Sequence, residues 1–281
     1  MKRKLFLLVL FGLFTAMLIR PFVVVPEKKL VVEPIAVPKP VVVKVIEKPL
    51  HSVKLPNFGA IKDIKRKKSE FFNFIRPAVI NENQRLLSLR QQIAQMLTRL
   101  SLEEPLADAE TQLLSSLVKQ YRVSKGGTPF QQLNALMSKV DEIPTALVLV
   151  QAANESAWGT SRFSRIGLNF FGIWCYSKGC GMVPRSRNVG ADHEVQAFQS
   201  VEQAVKRYLH NINTNSAYDV FRTIRRQLRE QDQPLVPEVL AMGLLPYSER
   251  GTDYVIELND MLRHNKQFLV ADSNSSATVS P

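Results

Sequence analysis

The 281-residue chain is long enough for one or two domains with substantial cores, and its 45% hydrophobic content is that of a globular protein. Its net charge of +12 invites a nucleic-acid reading, but 15 Lys/Arg and only 4 Asp/Glu fall in residues 1–68, leaving 22 against 21 in the remainder. A nucleic-acid-binding domain carries its basic stripe on the fold itself, so this distribution argues against nucleic acid as a partner.

Lys2, Arg3 and Lys4 precede an apolar run from Leu5 to Ile19, the charged and hydrophobic regions of an export signal. The run is shorter than the roughly 20 residues of an independent span. No A-x-A-like cleavage site follows it, which favours an uncleaved anchor over a cleaved signal across residues 1–25. In either case the positive end stays in the cytoplasm and the remainder crosses the membrane. The expected location is the periplasm, with the inner membrane as a partner through this segment.

Residues 26–60 are rich in Pro, Val and Lys. Proline removes backbone donors and fixes φ, so this stretch reads as an extended spacer, with edge strands the alternative for its Val runs. Residues 61–128 read as a helical region. Phe71, Phe72, Phe74 and Ile75 precede Pro77, and Leu86, Leu89, Ile93, Met96, Leu97 and Leu100 follow it at helical spacing. "DAETQLLSSLVKQY" gives a further helix, and Gly126, Gly127 and Pro129 interrupt the pattern.

From residue 129 to 270 the pattern is that of one domain, and 271–281 is a polar tail. "FQQLNALMSKV" is a short helix. Asp141, Glu142 and Pro144 then suit a helix start, and "PTALVLVQAANESAW" is apolar enough on all sides to be central and buried. Asn169 to Phe198 lack helical periodicity and read as a small irregular or β-hairpin lobe. Ser200 and Gln203 form a capping-box pattern opening a helix, and "SAYDVFRTIRRQLRE", "VPEVLAMGL" and "TDYVIELNDMLRHNK" continue as helices.

Cys175 and Cys180 are the only cysteines. In an exported chain, such a close pair reads as a disulfide. A metal site needs further ligands, and of His51, His193, His210 and His264 only His193 is near in sequence. No metal and no cofactor is therefore expected.

Glu155 sits where the buried helix ends. Desolvation and the negative end of the helix dipole both oppose its ionisation, which suits a general acid. The alternative is a surface glutamate with no chemical role. Trp158, Phe171 and Trp174 downstream suit either sugar stacking or plain core.

"QAANESAWGTSRF" followed by "LNFFGIWC" resembles the glucosaminidase-domain family, glycoside hydrolase family 73. Gln151, Ala152, Glu155, Ser156, Trp158, Gly159 and Ser161 match its QAxxESxWGxS segment, and Asn169, Phe171, Gly172 and Ile173 its NxFGI segment. The resemblance implies a mainly α, lysozyme-like α+β domain with a small β-lobe, acting on the glycan strands of peptidoglycan as an endo-β-N-acetylglucosaminidase. It places the general acid at Glu155, with Trp158, Asn169, Phe171 and Trp174 as substrate-binding residues. For a second carboxylate the β-lobe offers Asp192 and Glu194, of which Glu194 is favoured as a base for water. Without a carboxylate about 5–9.5 Å away, the substrate's own acetamido group takes that role. The family's tyrosine segment, Y-A-T-D-P-x-Y, is one residue longer here and lacks the proline, so Tyr247 and Tyr254 are both candidates. A lytic transglycosylase, an amidase and a non-catalytic wall-binding scaffold are the competing functions.

Overall fold

The computed structural model describes residues 48–184, 190 and 193–270, together with Leu13 and Met17. Apart from those two residues, the expected export segment lies outside the described residues, as do the spacer up to residue 47, Asp192 and the tail 271–281. No helix among the described residues is long and apolar enough to cross a membrane.

Helix α1 (Ile64–Ser101) is 38 residues long and starts at Asp63, whose carboxylate accepts from the Arg66 amide at 2.6 Å. The helix continues without interruption past Pro77. A proline there has no N–H for the preceding turn, a loss of about 3 kcal/mol in a helix interior. Burial on both sides offsets it: Phe71, Phe72 and Ile75 before, and Ala78, Val79 and Leu86 after, all enter one core.

Helices α2 (Asp108–Gln120) and α3 (Pro129–Lys139) follow, the latter with a reciprocal cap between Thr128 and Gln131. Helix α4 (Thr145–Glu155) is the central element, with Leu147 to Ala153 buried without a break. Apolar on every side, it has no face that water could cover. Asp141 and Glu142 lie before this helix, and Pro144 is its N-cap. Asp141 is buried and accepts from Arg229 at 3.0 Å. Buried Arg225 donates to the carbonyls of Ser138 at 3.1 Å and Glu142 at 3.0 Å. From the α1 side, Asn83 donates to the Ile143 carbonyl at 2.8 Å and accepts from its amide at 3.2 Å. These bonds fix where α4 begins, and so where its last residue, Glu155, emerges.

After α5 (Arg162–Gly167) comes the small sheet of β1 (Trp174–Cys175), β2 (Gly181–Met182) and β3 (Glu194–Gln196), antiparallel in the order β1-β3-β2. Cys175 and Cys180 are disulfide-bonded. This lobe has its own apolar cluster of Ile166, Met182 and Val195, with Phe163 against it, apart from the main core. Helices α6 (Val201–Thr214), α7 (Asp219–Glu230), α8 (Pro237–Ala241), α9 (Thr252–His264) and α10 (Lys266–Leu269) complete the fold. At the start of α6, Ser200 accepts from the Gln203 amide, but the Gln203 carbonyl oxygen accepts from Gln199 rather than from Ser200.

The architecture is mainly helical with a three-stranded sheet. It differs from the expected partition in two places. The end of the expected spacer is seated in the fold: the Leu50 amide donates to Ile166 at 2.8 Å, and buried Phe58 meets Phe71 edge-on at 5.4 Å. The helical region 61–128 also shares its core with the residues after 129. Its apolar stripe packs chiefly against α3, α4 and α6.

Candidate active site

Glu155 is the last residue of α4, and the motif around it is mostly a device for ending that helix. Ala157, Trp158 and Gly159 all have positive φ (50°, 58° and 73°), so the chain reverses in a left-handed turn. The Ser156 hydroxyl donates to the Ala152 carbonyl at 2.6 Å and accepts from the Gly159 amide at 2.8 Å, tying the turn to the helix. Gly159 is required twice, by its φ and by space: a Cβ there would lie 2.5 Å from the Phe58 ring. Ser161 then caps α5.

The second motif builds the opposite support. Asn169 is buried, and its amide donates to the carbonyls of Ile173 and Gln196, both at 2.8 Å. Its Oδ1 accepts from Phe171 at 3.3 Å and Ile173 at 3.0 Å. Its hydrogen-bonding capacity is thus spent on the loop, and Asn169 shapes the site rather than facing it. Gly172, at φ 64°, lets the backbone turn past the Glu155 carboxylate. Buried Phe171 stacks on Tyr208 with ring centroids 4.2 Å apart, and its carbonyl accepts from the Tyr247 hydroxyl at 2.6 Å.

Glu155 lies in a cleft of about 690 Å³. Phe171, Gly172, Ile173 and Trp174 line it from the β-lobe side of the sequence, and Tyr218 and Tyr247 from the C-terminal half. Arg207, Asn211 and Thr214 of α6 line it at i, i+4 and i+7, while Ala204, Val205, Tyr208, Leu209 and Ile212 of the same helix are buried. Trp174 is 49% exposed and stacks on His193 at 4.3 Å. Glu155 is the only carboxylate among the described residues lining this cleft.

Behind Glu155 runs a buried chain of hydrogen bonds. The Tyr208 hydroxyl donates to the Gln151 carbonyl oxygen, the Gln151 amide donates to the Tyr254 hydroxyl at 3.0 Å, and the Tyr254 hydroxyl favours the charged form of the Glu155 carboxyl. With Tyr254 already accepting from Gln151, its single proton is available to the Glu155 carboxyl. Burial raises the Glu155 pKa above the ordinary value of 4.5; the Tyr254 hydroxyl opposes this, nearby Glu257 adds to it, and Arg250 works against it. Burial also holds Tyr247 and Tyr254 well above the usual phenol range, so both remain proton donors.

Besides Asn169 and Tyr254, two more expected site residues do not line the cleft. Trp158 packs on Phe71 and Phe72, at 5.8 and 5.2 Å between ring centroids. It lines a separate cavity with Lys68, Asp260 and His264, and so anchors the turn to α1. Glu194 is buried on β3 and does not line the cleft. Its two oxygens accept from the amide of Gly179 at 2.9 Å, inside the disulfide-closed loop, and from that of Gly181 at 2.8 Å, just beyond it. Sequence reasoning passed over Tyr208 and the role of Gln151. A lone amide in the apolar run "TALVLVQAA" was the available signal, since a buried polar side chain must find partners.

A buried helix ending in a half-buried carboxyl, facing a cleft beside a small sheet, agrees with a family assignment reached independently by comparison. A family model described as mannosyl-glycoprotein endo-beta-N-acetylglucosaminidase matches residues 131–267, and the chain belongs to this glucosaminidase family, glycoside hydrolase family 73. It is similar to Protein bax of Escherichia coli (strain K12), at 31% identity over 221 residues, which are 78% of this chain and 77% of that protein. No solved structure matches it.

Proposed function

We propose that the protein is a peptidoglycan hydrolase that cleaves glycan strands after N-acetylglucosamine, with Glu155 as general acid. The observation that carries this is the raised, half-buried carboxyl of Glu155 at the floor of the cleft. Protonated at the start, it delivers its proton to the departing glycosidic oxygen as positive charge develops on the sugar ring. The Tyr254 hydroxyl then stabilises the carboxylate left behind. Trp174, with Tyr176 beside it in sequence, offers an exposed aromatic surface for a sugar face. The helical body with a small sheet beside the cleft supports a lysozyme-like arrangement.

No second carboxylate reaches the cleft among its described residues, and Glu194 is held by two amides. This arrangement supports a mechanism in which the acetamido oxygen of the substrate attacks the anomeric carbon as the glycosidic bond breaks, and water opens the resulting ring in a second step. A lone acid also serves a lytic transglycosylase, where a hydroxyl of the sugar attacks instead. The N-terminal basic and apolar run supports a periplasmic location, with the inner membrane as tether.

Digestion of purified sacculi with mass analysis of the products tests the bond and the mechanism. A reducing N-acetylglucosamine end is expected, and a 1,6-anhydro end would overturn hydrolysis. Glu155→Gln should lower the rate by about 10²- to 10⁴-fold while leaving the circular dichroism spectrum intact. Wild-type digestion by that variant would remove Glu155 from the chemistry.

A further inference from the structure

Arg207 lines both the Glu155 cleft and a second cavity of about 340 Å³, so the two spaces adjoin at this residue. Arg122, just beyond the end of α2, lines the cleft as well. The second cavity has a mixed wall that includes Leu86, Phe198, Gln203 and Lys206.

The charges on this wall are unequally satisfied. Arg85 is held by Glu82 through two bonds, of 2.8 and 2.7 Å. Among the described residues, neither Arg122 nor Arg207 forms an ion pair with a carboxylate, and Arg207 donates only a long 3.4 Å bond to Gln196. His210 of the second cavity is held below its ordinary pKa, first by burial and then by Arg207, Arg122 and Arg85, so these three cations converge on one region. Guanidinium groups favour carboxylates because their planar N–H fork matches both oxygens.

We propose that Arg122 and Arg207 form a carboxylate-recognition subsite for the peptide stem of peptidoglycan, with the second cavity receiving the stem as it branches from the glycan. The inference rests on the reading of the Glu155 cleft as a glycan groove. A stem leaves the sugar chain sideways and carries free carboxylates. The space beyond Arg207 has the polar and apolar wall that a short peptide requires. The subsite makes the enzyme selective for strands that still bear stems.

The test is equilibrium binding by full-length Glu155→Gln protein to soluble glycan strands, either carrying stems or stripped of them by an amidase. Stem-bearing strands are expected to bind at least about tenfold more tightly. In the Arg122→Gln/Arg207→Gln background that preference should fall at least about fivefold, and Arg→Lys at both positions should restore part of it. Equal affinity for the two strands, or an unchanged preference in the double variant, would overturn the subsite. Should the double variant fail to fold, Arg122→Gln alone, at an exposed position, carries the same comparison. Binding does not depend on cleavage. Failure of the hydrolase reading would appear separately, as wild-type protein that binds strands and leaves them uncut.

Discussion

Two opposing influences meet on Glu155. Burial favours its protonated form, and the Tyr254 hydroxyl favours the charged form. Tyr254→Phe removes the second influence and retains the ring, which stacks on Tyr247 at 5.6 Å. The Glu155 pKa should then rise further, so the alkaline limb of the pH–rate profile moves to higher pH. The same variant leaves the buried Gln151 amide without its acceptor, at a cost of about 1–3 kcal/mol measurable by urea unfolding. A stability loss with no movement of the alkaline limb would mean that Tyr254 only packs. At this scale the place of Glu155 at the end of a buried helix was legible in the sequence, because the apolar run stops there, although a surface glutamate was the competing reading. The place of Glu194 was not legible: nothing in "ADHEVQAF" reveals two amides waiting in a loop that precedes it in sequence.

Among the elements, α4 and the turn after it do most to place the acid. The turn depends on three consecutive left-handed residues, two of which carry side chains that disfavour that conformation. Gly159→Ala adds a Cβ 2.5 Å from the Phe58 ring at φ 73°, and should cost at least about 2 kcal/mol in chemical denaturation. Activity should fall with it, because the turn sets the direction in which Glu155 points. Helix boundaries here were readable from caps and periodicity, as at Ser200. The passage of α1 through Pro77 was not, because local propensity gives no measure of the apolar burial that overrides it. The placement of Trp158 against Phe71 and Phe72 was hidden for a related reason: aromatic residues look alike in sequence whether they face a substrate or a neighbouring helix.

For the molecule as a whole, the family match begins at residue 131 but the fold does not. Phe71, Phe72, Ile75 and Val79 of α1 are fully buried in the core that holds α4, and Asn83 fixes the start of that helix. A fragment spanning 129–270 should therefore lack cooperative thermal unfolding and bind a hydrophobic dye, whereas 48–270 should melt sharply. A sharp transition in the shorter fragment would make the N-terminal helices an accessory. The sequence displayed the helical stripe of α1 but not its partner, since long-range pairing leaves no local mark. The small apolar cluster of Ile166, Met182 and Val195 has one more consequence. The groove resembles a vice whose fixed jaw belongs to the body and whose other jaw rests on three side chains and a covalent clip. On gentle warming, amide exchange should free the strands first, and grip on the sugar chain should fade while the acid still stands in place.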